Sequence, residues 1–67
     1  MSVRMNKLRW IREDQGLTQA YLAVHAGTSP GYISNMERYG YYPGERLRRR
    51  IARVLCVPEN NIWPEGV

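Results

Sequence analysis

The feature of this sequence that most restricts its fold is a pair of helix start and stop signals near its centre. The segments Thr18–Ala26 and Ser29–Arg38 each begin with a hydroxyl residue that can accept a backbone N–H of the first helical turn. Gly27, between them, can adopt the left-handed conformation in which helices commonly end, and Pro30 stands at a first helical position, where proline loses no hydrogen bond. The sequence therefore predicts two short helices joined by a tight turn, with the second ending near Arg38–Gly40.

Apolar residues at helical spacing predict further helices on both sides of this pair. Leu8 and Ile11 recur before Gly16, which favours a first helix over roughly Asn6–Gln15. After the loop Tyr39–Gly44, apolar residues recur in the pattern i, i+4, i+7, i+8 of a fourth helix. The residues of this stripe are Leu47, Ile51, Val54 and Leu55.

The C-terminal segment predicts a short fifth helix. Pro58 opens it, Ile62 and Trp63 supply apolar side chains that can cover the core, and Pro64 ends it. No stretch of the sequence alternates apolar and polar residues over the length of a strand. The predicted fold is all-α, a compact bundle of about five short helices that forms a single domain over residues 1–67.

The size and charge of the chain limit what such a bundle can do. A chain of 67 residues buries only about 60% of its unfolded surface, so we expect a binding module without a deep catalytic cavity. Ten Lys and Arg residues stand against six Asp and Glu, and nearly all of the cations are arginine, whose forked guanidinium suits phosphate and guanine. The composition therefore favours an anionic polymer as the partner.

The residue types that build small metal and catalytic sites are scarce. Cys56 has no second cysteine with which to form a disulfide, and together with His25 it supplies too few ligands for a zinc site. The same two residues lack a third group that would orient them as a nucleophile pair. The sequence predicts no enzyme, no cofactor and no small-molecule ligand. The longest apolar run, Ala20–Val24, and the polar N-terminus also predict neither a membrane span nor a secretion signal.

The segment Leu17–Arg38 carries a set of residues suited to two helices that cross at a tight turn. A small side chain at Ala23 lets the helices approach, and Gly27 permits the positive φ of the turn. The residues of the set are Gln19, Ala23, Gly27, Ile33, Glu37 and Arg38. With them the chain resembles the phage-repressor-like helix-turn-helix family, which includes lambda repressor and Cro, over roughly Asn6–Trp63. The resemblance implies a cytoplasmic, bacterial or phage-encoded protein that binds double-stranded DNA.

The third helix is the candidate for reading bases in the major groove. At about 100° per residue, Ile33 and Met36 point to one side of it and the polar residues to the other. The resemblance places base contacts in its N-terminal part, and the candidate base-contacting residues are Ser29, Pro30, Gly31, Ser34, Asn35 and Arg38. Since proline and glycine have no polar side chain, readout falls chiefly on Asn35, which suits adenine, and on Arg38, which suits guanine or phosphate. The alternative for these two residues is a solvated helix face.

A second set of residues is expected to contact the DNA backbone. Its members are Thr18, Gln19, Tyr32, Tyr39, Tyr41 and Arg46. The amide of Gln19 and the free N–H groups of its helix can reach a phosphate, and a local cap is the alternative. The loop tyrosines, which include Tyr42, can either donate to phosphates or pack over the core. The fourth-helix arginines, of which the others are Arg49, Arg50 and Arg53, can equally form a solvated face.

Three further expectations concern stability and assembly. Arg12 and Glu37 match positions that the family uses for an ion pair between the first helix and the end of the third.

One reading helix specifies too few base pairs, so we expect a homodimer on DNA. Its contacts are expected around Ile62 and Trp63 or through the DNA itself, and the alternative for Trp63 is burial within its own subunit. Cys56 stands where the family commonly has glycine, so the end of the fourth helix is expected to differ locally.

The predicted function is a sequence-specific, double-stranded DNA-binding transcriptional regulator, a repressor that occupies an operator as a dimer. The alternative is a protein-interaction module of the antitoxin type, whose main partner is another protein. Pro30 and Gly31 keep this alternative open, as do Tyr21 and Val24, which lie three residues apart and away from the inward face of the second helix. Strongly salt-dependent binding to duplex DNA distinguishes the two.

Overall fold

The computed structural model describes residues 6–64 and contains five helices but no strand within that range. The helices are α1 (Leu8–Asp14), α2 (Gln19–Ala26), α3 (Pro30–Tyr39), α4 (Glu45–Leu55) and α5 (Glu59–Ile62). The predicted all-α bundle of five short helices is confirmed. The helix pair in the middle of the chain has the caps that the sequence indicates.

Hydroxyl groups begin both helices of this pair. The Oγ1 atom of Thr18 accepts a hydrogen bond from the backbone N–H of Tyr21 at 2.9 Å, and the Oγ atom of Ser29 accepts one from Tyr32 at 3.1 Å. Gly27 ends α2 in the left-handed conformation with φ of 74°. Since an L-residue with a Cβ is strained there, glycine is what lets α2 stop and α3 start so soon afterwards.

The core lies where α2 packs against α3 and α4. Helix α2 contributes Leu22, Ala23 and Ala26, all fully buried, and the small side chains allow the neighbouring helices to approach closely. The remaining buried apolar residues are Leu8, Ile33, Met36, Ile51, Ala52, Leu55, Ile62 and Trp63. These contacts fix the orientation of α3, which carries the candidate base-reading residues.

Helix α1 is shorter than the predicted Asn6–Gln15, and the left-handed Gly16 follows shortly after its C-terminal end. The Oδ1 atom of Asn6 accepts the backbone N–H of Leu8, and its Nδ2 atom donates to the carbonyl oxygen of Met36 at 3.0 Å. At the other end, the Nε2 atom of Gln15 donates to the carbonyl oxygen of Leu55 at 2.7 Å. The side chains of Asn6 and Gln15 thus connect the two ends of α1 to α3 and to the last residue of α4.

One expectation about the C-terminal half is wrong, and the alternative that was left open for Trp63 is decided. Helix α4 ends in the usual left-handed conformation although Cys56, with φ of 58°, occupies the position, so packing on both sides outweighs the strain on its Cβ. Ile62 is fully buried and Trp63 only 4% exposed, so neither offers a surface to a second subunit. Trp63 instead caps the core of its own chain, with Tyr42 edge-on to its ring at a centroid distance of 6.2 Å.

Candidate nucleic-acid interface

Helix α3 has one face in the core and the opposite face in solvent. Ile33 and Met36 are fully buried, as the spacing predicts, whereas Gly31, Asn35 and Arg38 are exposed. The remaining candidate base-contacting residues, Ser29, Pro30 and Ser34, are exposed or half-buried. All six candidates therefore lie on α3 or at its N-cap, and none of them is fully buried.

Asn35 and Arg38 have the longest polar side chains among these candidates. Within residues 6–64, the amide of Asn35 makes no hydrogen bond and the guanidinium of Arg38 makes no ion pair. Arg38 lies 5.9 Å from the ring centroid of Tyr39, a contact that leaves its N–H groups available. Because a solvated amide and guanidinium can both form forked hydrogen bonds, these residues have the chemistry to read base edges.

The first turn of α3 has an unusually bare surface. Pro30 and Gly31 are exposed, and a Cβ added to Gly31 would meet nothing within 4 Å. Neither packing nor a positive φ requires glycine here, although it costs about 1 kcal/mol relative to alanine inside a helix. The absence of a side chain does let another molecule approach the helix backbone closely.

A buried ion pair fixes the C-terminal half of α3 to α1. The Nε atom of Arg12 donates to Oε2 of Glu37 at 2.7 Å, and its Nη2 atom donates to Oε1 at 3.0 Å. The exposed fractions of the two side chains are only 9% and 4%, so the predicted pair is confirmed and is largely desolvated. The hydrogen bonds that Arg12 donates to Glu37 raise the pKa of the guanidinium above its ordinary value against the opposing effect of burial, so the group is charged.

Gln19 is held by the same carboxylate. Its Nε2 atom donates to Oε1 of Glu37 at 3.1 Å, and the capping oxygen of α2 belongs to Thr18 instead, so Gln19 is not a local cap. Its side chain lies in an open polar cleft between α1 and α3. The cleft is lined by Arg9, Arg12, Glu13, Gln19, Ser34, Glu37 and Arg38. Gln19 is thus placed beside the base-reading candidates, and its contact with a phosphate stays a prediction.

The tyrosines beyond α3 divide into two groups. Tyr39 and Tyr41 are about half exposed, and their rings lie 5.9 Å apart, next to Arg38. Tyr42 packs on Trp63 and under the guanidinium of Arg48 at 4.5 Å, which gives it a structural role. Tyr32 is half-buried against the core. Tyr39, the last residue of α3, and Tyr41 are therefore the two of these tyrosines that lie beside Arg38.

The arginines of α4 form a surface of their own. Arg46 is exposed and borders a shallow cleft with Glu45, Arg49, Arg50 and Arg53, and no α3 residue lines that cleft. Arg49 is paired with Glu45, whereas Arg46 has no ion-pair partner among residues 6–64. Arg50 reaches the α2–α3 turn, where its Nη1 atom would lie 3.2 Å from a Cβ placed on Gly27. The basic charge of α4 is therefore next to the helix pair but separate from the candidate base-contacting residues of α3.

Two arginines have roles that the sequence pattern alone did not identify. Arg9 lines the polar cleft with its side chain 66% exposed, and its pairing with Glu13 at i+4 leaves it beside Gln19 and Arg38. Arg48 donates to the carbonyl oxygen of Pro43 at 2.8 Å and pairs with Glu59 at 3.4 Å, which ties the loop before α4 to α5. The i, i+4 spacing of Arg9 and Glu13 was a visible signal, while the contacts of Arg48 depend on tertiary structure.

The other chemically active residues form no site in the part of the chain that is described. His25 stacks on Tyr21 at a centroid distance of 4.0 Å, with its Nδ1 atom bonded to the carbonyl oxygen of the same residue, and Cys56 is exposed. Residues 6–64 contain no cluster of three or more His, Cys, Asp or Glu side chains placed to hold a metal ion. None of the helices in this range has the length and apolar character needed to cross a membrane.

Comparison with known proteins gives a family and a similar solved structure. Residues 6–62 match a family described as a helix-turn-helix domain. The crystal structure of the clp gene regulator ClgR from C. glutamicum superposes with a TM-score of 0.72 at 31% sequence identity, over 81% of this chain and 70% of that chain. No curated protein sequence matches the chain. Because the superposition covers most of the chain, the shared fold extends beyond the helix pair to its flanking helices.

Proposed function

We propose, because the chain belongs to the helix-turn-helix domain family, that it is a DNA-binding transcriptional regulator that recognises a specific double-stranded site with α3. The observation that carries this proposal is the outward surface of α3. Asn35 and Arg38 are exposed on it and form no hydrogen bond or ion pair with other side chains among residues 6–64, while the buried Arg12–Glu37 pair holds the helix in place. Because the ion pair fixes the helix backbone, binding has to order only the side chains that contact the DNA.

Contacts to the DNA backbone are proposed to set the register of α3 in the major groove. Gln19 and Arg9 lie in the polar cleft on one side of the reading surface, and Tyr39 and Tyr41 lie beyond its C-terminal end. Amide, guanidinium and phenol groups commonly donate hydrogen bonds to phosphate oxygens. Thr18, Tyr32 and Arg46 remain proposed contacts, of which the first two lie on the helix pair and Arg46 on the separate basic surface of α4.

The protein is further proposed to act as a repressor that occupies its operator as a homodimer. A single helix covers about half of a specific site, so two copies about one helical turn of DNA apart are needed on one duplex face. Repression requires no catalytic group, only exclusive occupancy of the site. The structural relative ClgR is a regulator of clp genes, and a regulatory role is extended to this chain on that ground.

The experiment that tests this function is selection of bound duplexes from a random pool at physiological salt. We expect an enriched sequence with two symmetry-related halves, bound by two protomers per duplex in sedimentation. The control is Asn35→Ala, with Asn60→Ala as its matched partner because Asn60 is an exposed asparagine on α5, away from α3. A pool that stays random with the wild-type protein would contradict sequence-specific binding, and one protomer per saturated duplex would contradict the homodimer.

A second candidate function is a protein-interaction module whose main partner is another protein. Val24 is 72% exposed and Tyr21 46% exposed on the outer side of α2, an apolar surface that DNA binding by α3 does not use. In this case the affinity for duplex DNA should be weak and without sequence preference. A steep loss of DNA affinity with added salt, together with a selected sequence, favours the regulator over this alternative.

A further inference from the structure

The outer face of α1 presents an exposed tryptophan beside an apolar groove. Trp10 is 67% exposed, and it borders a groove that reaches from Ile11 across to Val57. The rim of the groove is polar and is formed by Lys7, Asp14, Gln15 and Asn61. An apolar centre with a tryptophan anchor and a polar rim is the usual anatomy of a protein interface.

This surface does not overlap the base-reading surface. Arg9 and Glu13 of α1 line the polar cleft next to α3. Trp10 and Asp14 each follow one of these residues and are therefore rotated by about 100° around the helix axis. A partner on the Trp10 face thus leaves the candidate DNA contacts free.

The two charged residues on this face, Lys7 and Asp14, have signs that the dipole of α1 disfavours. Lys7 is the N-cap residue of α1 and Asp14 is its last residue. The dipole of a helix favours a negative charge at its N-terminus and a positive charge at its C-terminus, which is the reverse of what is present. Within residues 6–64, neither side chain has an ion-pair partner. Both charges become favourable when a helix of opposite direction lies alongside.

We propose that this surface binds a second copy of the chain, with the two α1 helices antiparallel. A two-fold axis that passes between Trp10 and Ile11 places Lys7 against Asp14 of the partner subunit and Trp10 against Ile11 of the partner subunit. Each contact occurs twice, as in any isologous interface. The charge pattern is therefore complementary to itself, and this complementarity selects a second copy over an unrelated protein.

The interface is small and the dimer is accordingly weak. Helix α1 has only seven residues, so the buried area falls below the size of a standard stable interface. Each chain also carries a formal charge of +4, which makes two copies repel one another over longer distances. Pairing is expected at high protein concentration, or when both copies are bound to one duplex. Pairing of two copies on one duplex rests on the proposed function, whereas pairing at high protein concentration does not.

Charge reversal in sedimentation equilibrium tests the pairing on the intact chain. Asp14→Lys and Lys7→Glu should each weaken dimerisation roughly tenfold at low salt, because two attractive pairs become repulsive. The double variant exchanges the charges and restores both pairs, so its dissociation constant should return to within about threefold of the wild-type value. Each single reversal also suits the helix dipole, so the melting temperature should not fall, and loss of dimer cannot be ascribed to unfolding.

Removal of the tryptophan tests the apolar centre. Trp10→Ala should weaken dimerisation at least about tenfold, whereas Val24→Ala, at a similarly exposed residue on α2, should leave it unchanged. In the wild type, the fluorescence of Trp10 should shift to shorter wavelength as dimer forms, while that of the buried Trp63 stays constant.

Several outcomes would overturn the proposal. It is wrong if the wild-type protein stays monomeric up to millimolar concentration, if Trp10→Ala dimerises normally, or if the double charge exchange fails to recover what the single reversals lose. Binding of Trp10→Ala to a single half-site separates this proposal from the proposed function. Half-site affinity should be unchanged, since α3 is untouched, and a wild-type protein that dimerises without binding DNA would refute only the proposed function.

Discussion

Loss of the buried Arg12–Glu37 pair should destabilise the protein more than loss of any other ion pair among residues 6–64. In Glu37→Gln, the guanidinium of Arg12 loses its carboxylate partner but remains buried, with only 9% of its side chain exposed. In Arg12→Met, the carboxylate of Glu37 remains, with the amide of Gln19 as its one hydrogen-bond donor, and the carbonyl oxygen of Leu17 loses a donor at 2.6 Å. Breaking one side of a buried pair in this way costs about 3–5 kcal/mol.

That cost is a large part of the total stability. At about 0.05–0.15 kcal/mol per residue, a domain of this size has a free energy of unfolding of roughly 3–10 kcal/mol. Each kcal/mol corresponds to about 4–8 °C in melting temperature, so either variant should melt at least about 10 °C below the wild type. The exposed pair Arg49–Glu45, with both side chains more than 60% exposed, provides the contrast. Glu45→Gln should cost no more than about 1 kcal/mol.

Thermal and urea unfolding followed by far-ultraviolet circular dichroism measure these differences. The double variant Arg12→Met with Glu37→Gln should lose less than the sum of the two single losses, because the residues share one interaction. Melting within about 3 °C of wild type for both single variants would show that the pair is not desolvated in solution. The pair would then not be what fixes α3 for DNA reading.

Substitutions at three other sites should change the free energy of unfolding, the affinity for DNA or both. Cys56→Gly should raise the free energy of unfolding by about 1 kcal/mol, because glycine relieves the left-handed backbone, while Cys56→Ala should not; urea unfolding measures both, and equal stability of the two would contradict the strain. Gly31→Ala should stabilise α3 by about 0.5–1 kcal/mol yet weaken DNA binding, since its Cβ points into open space that a bound duplex would fill. Unchanged DNA affinity in that variant would exclude a close approach of DNA to the helix backbone. Arg46→Ala should weaken binding to preferred and random duplexes alike and lower the slope of log affinity against log salt by roughly one, and an unchanged slope in titrations would exclude a phosphate contact.

The central helix pair was predictable because its signals are local. A cap or a left-handed glycine acts within one helical turn, so Ser29 and Gly27 identify the helix ends without any tertiary contact. The burial of Ile33 and Met36 follows from helical periodicity in the same way. The outward position of Asn35 is the consequence of that periodicity, which is why the candidate base-reading surface could be outlined in advance.

Features that depend on distant residues could not be obtained from local patterns. The hydrogen bond from Asn6 to Met36 spans 30 positions, and no local pattern in the sequence indicates it. An apolar residue such as Trp63 suits both the core of its own subunit and an interface with a second subunit, so the sequence alone did not distinguish the two. Trp10 is the opposite case, since its exposure becomes evident only once α1 is packed against the bundle. The pairing of Arg12 with Glu37 was expected from family resemblance, because no local rule links residues 25 positions apart.

Comparison of Asn35→Ala with wild-type protein on preferred and random duplexes tests the central claim most directly. We predict a loss of about 1–3 kcal/mol on the preferred site and little change on random DNA, because the amide reads a base edge and does not contribute to general attraction. Asn60→Ala should bind both duplexes like the wild type. Equal weakening on both duplexes by Asn35→Ala would contradict base readout by this surface of α3.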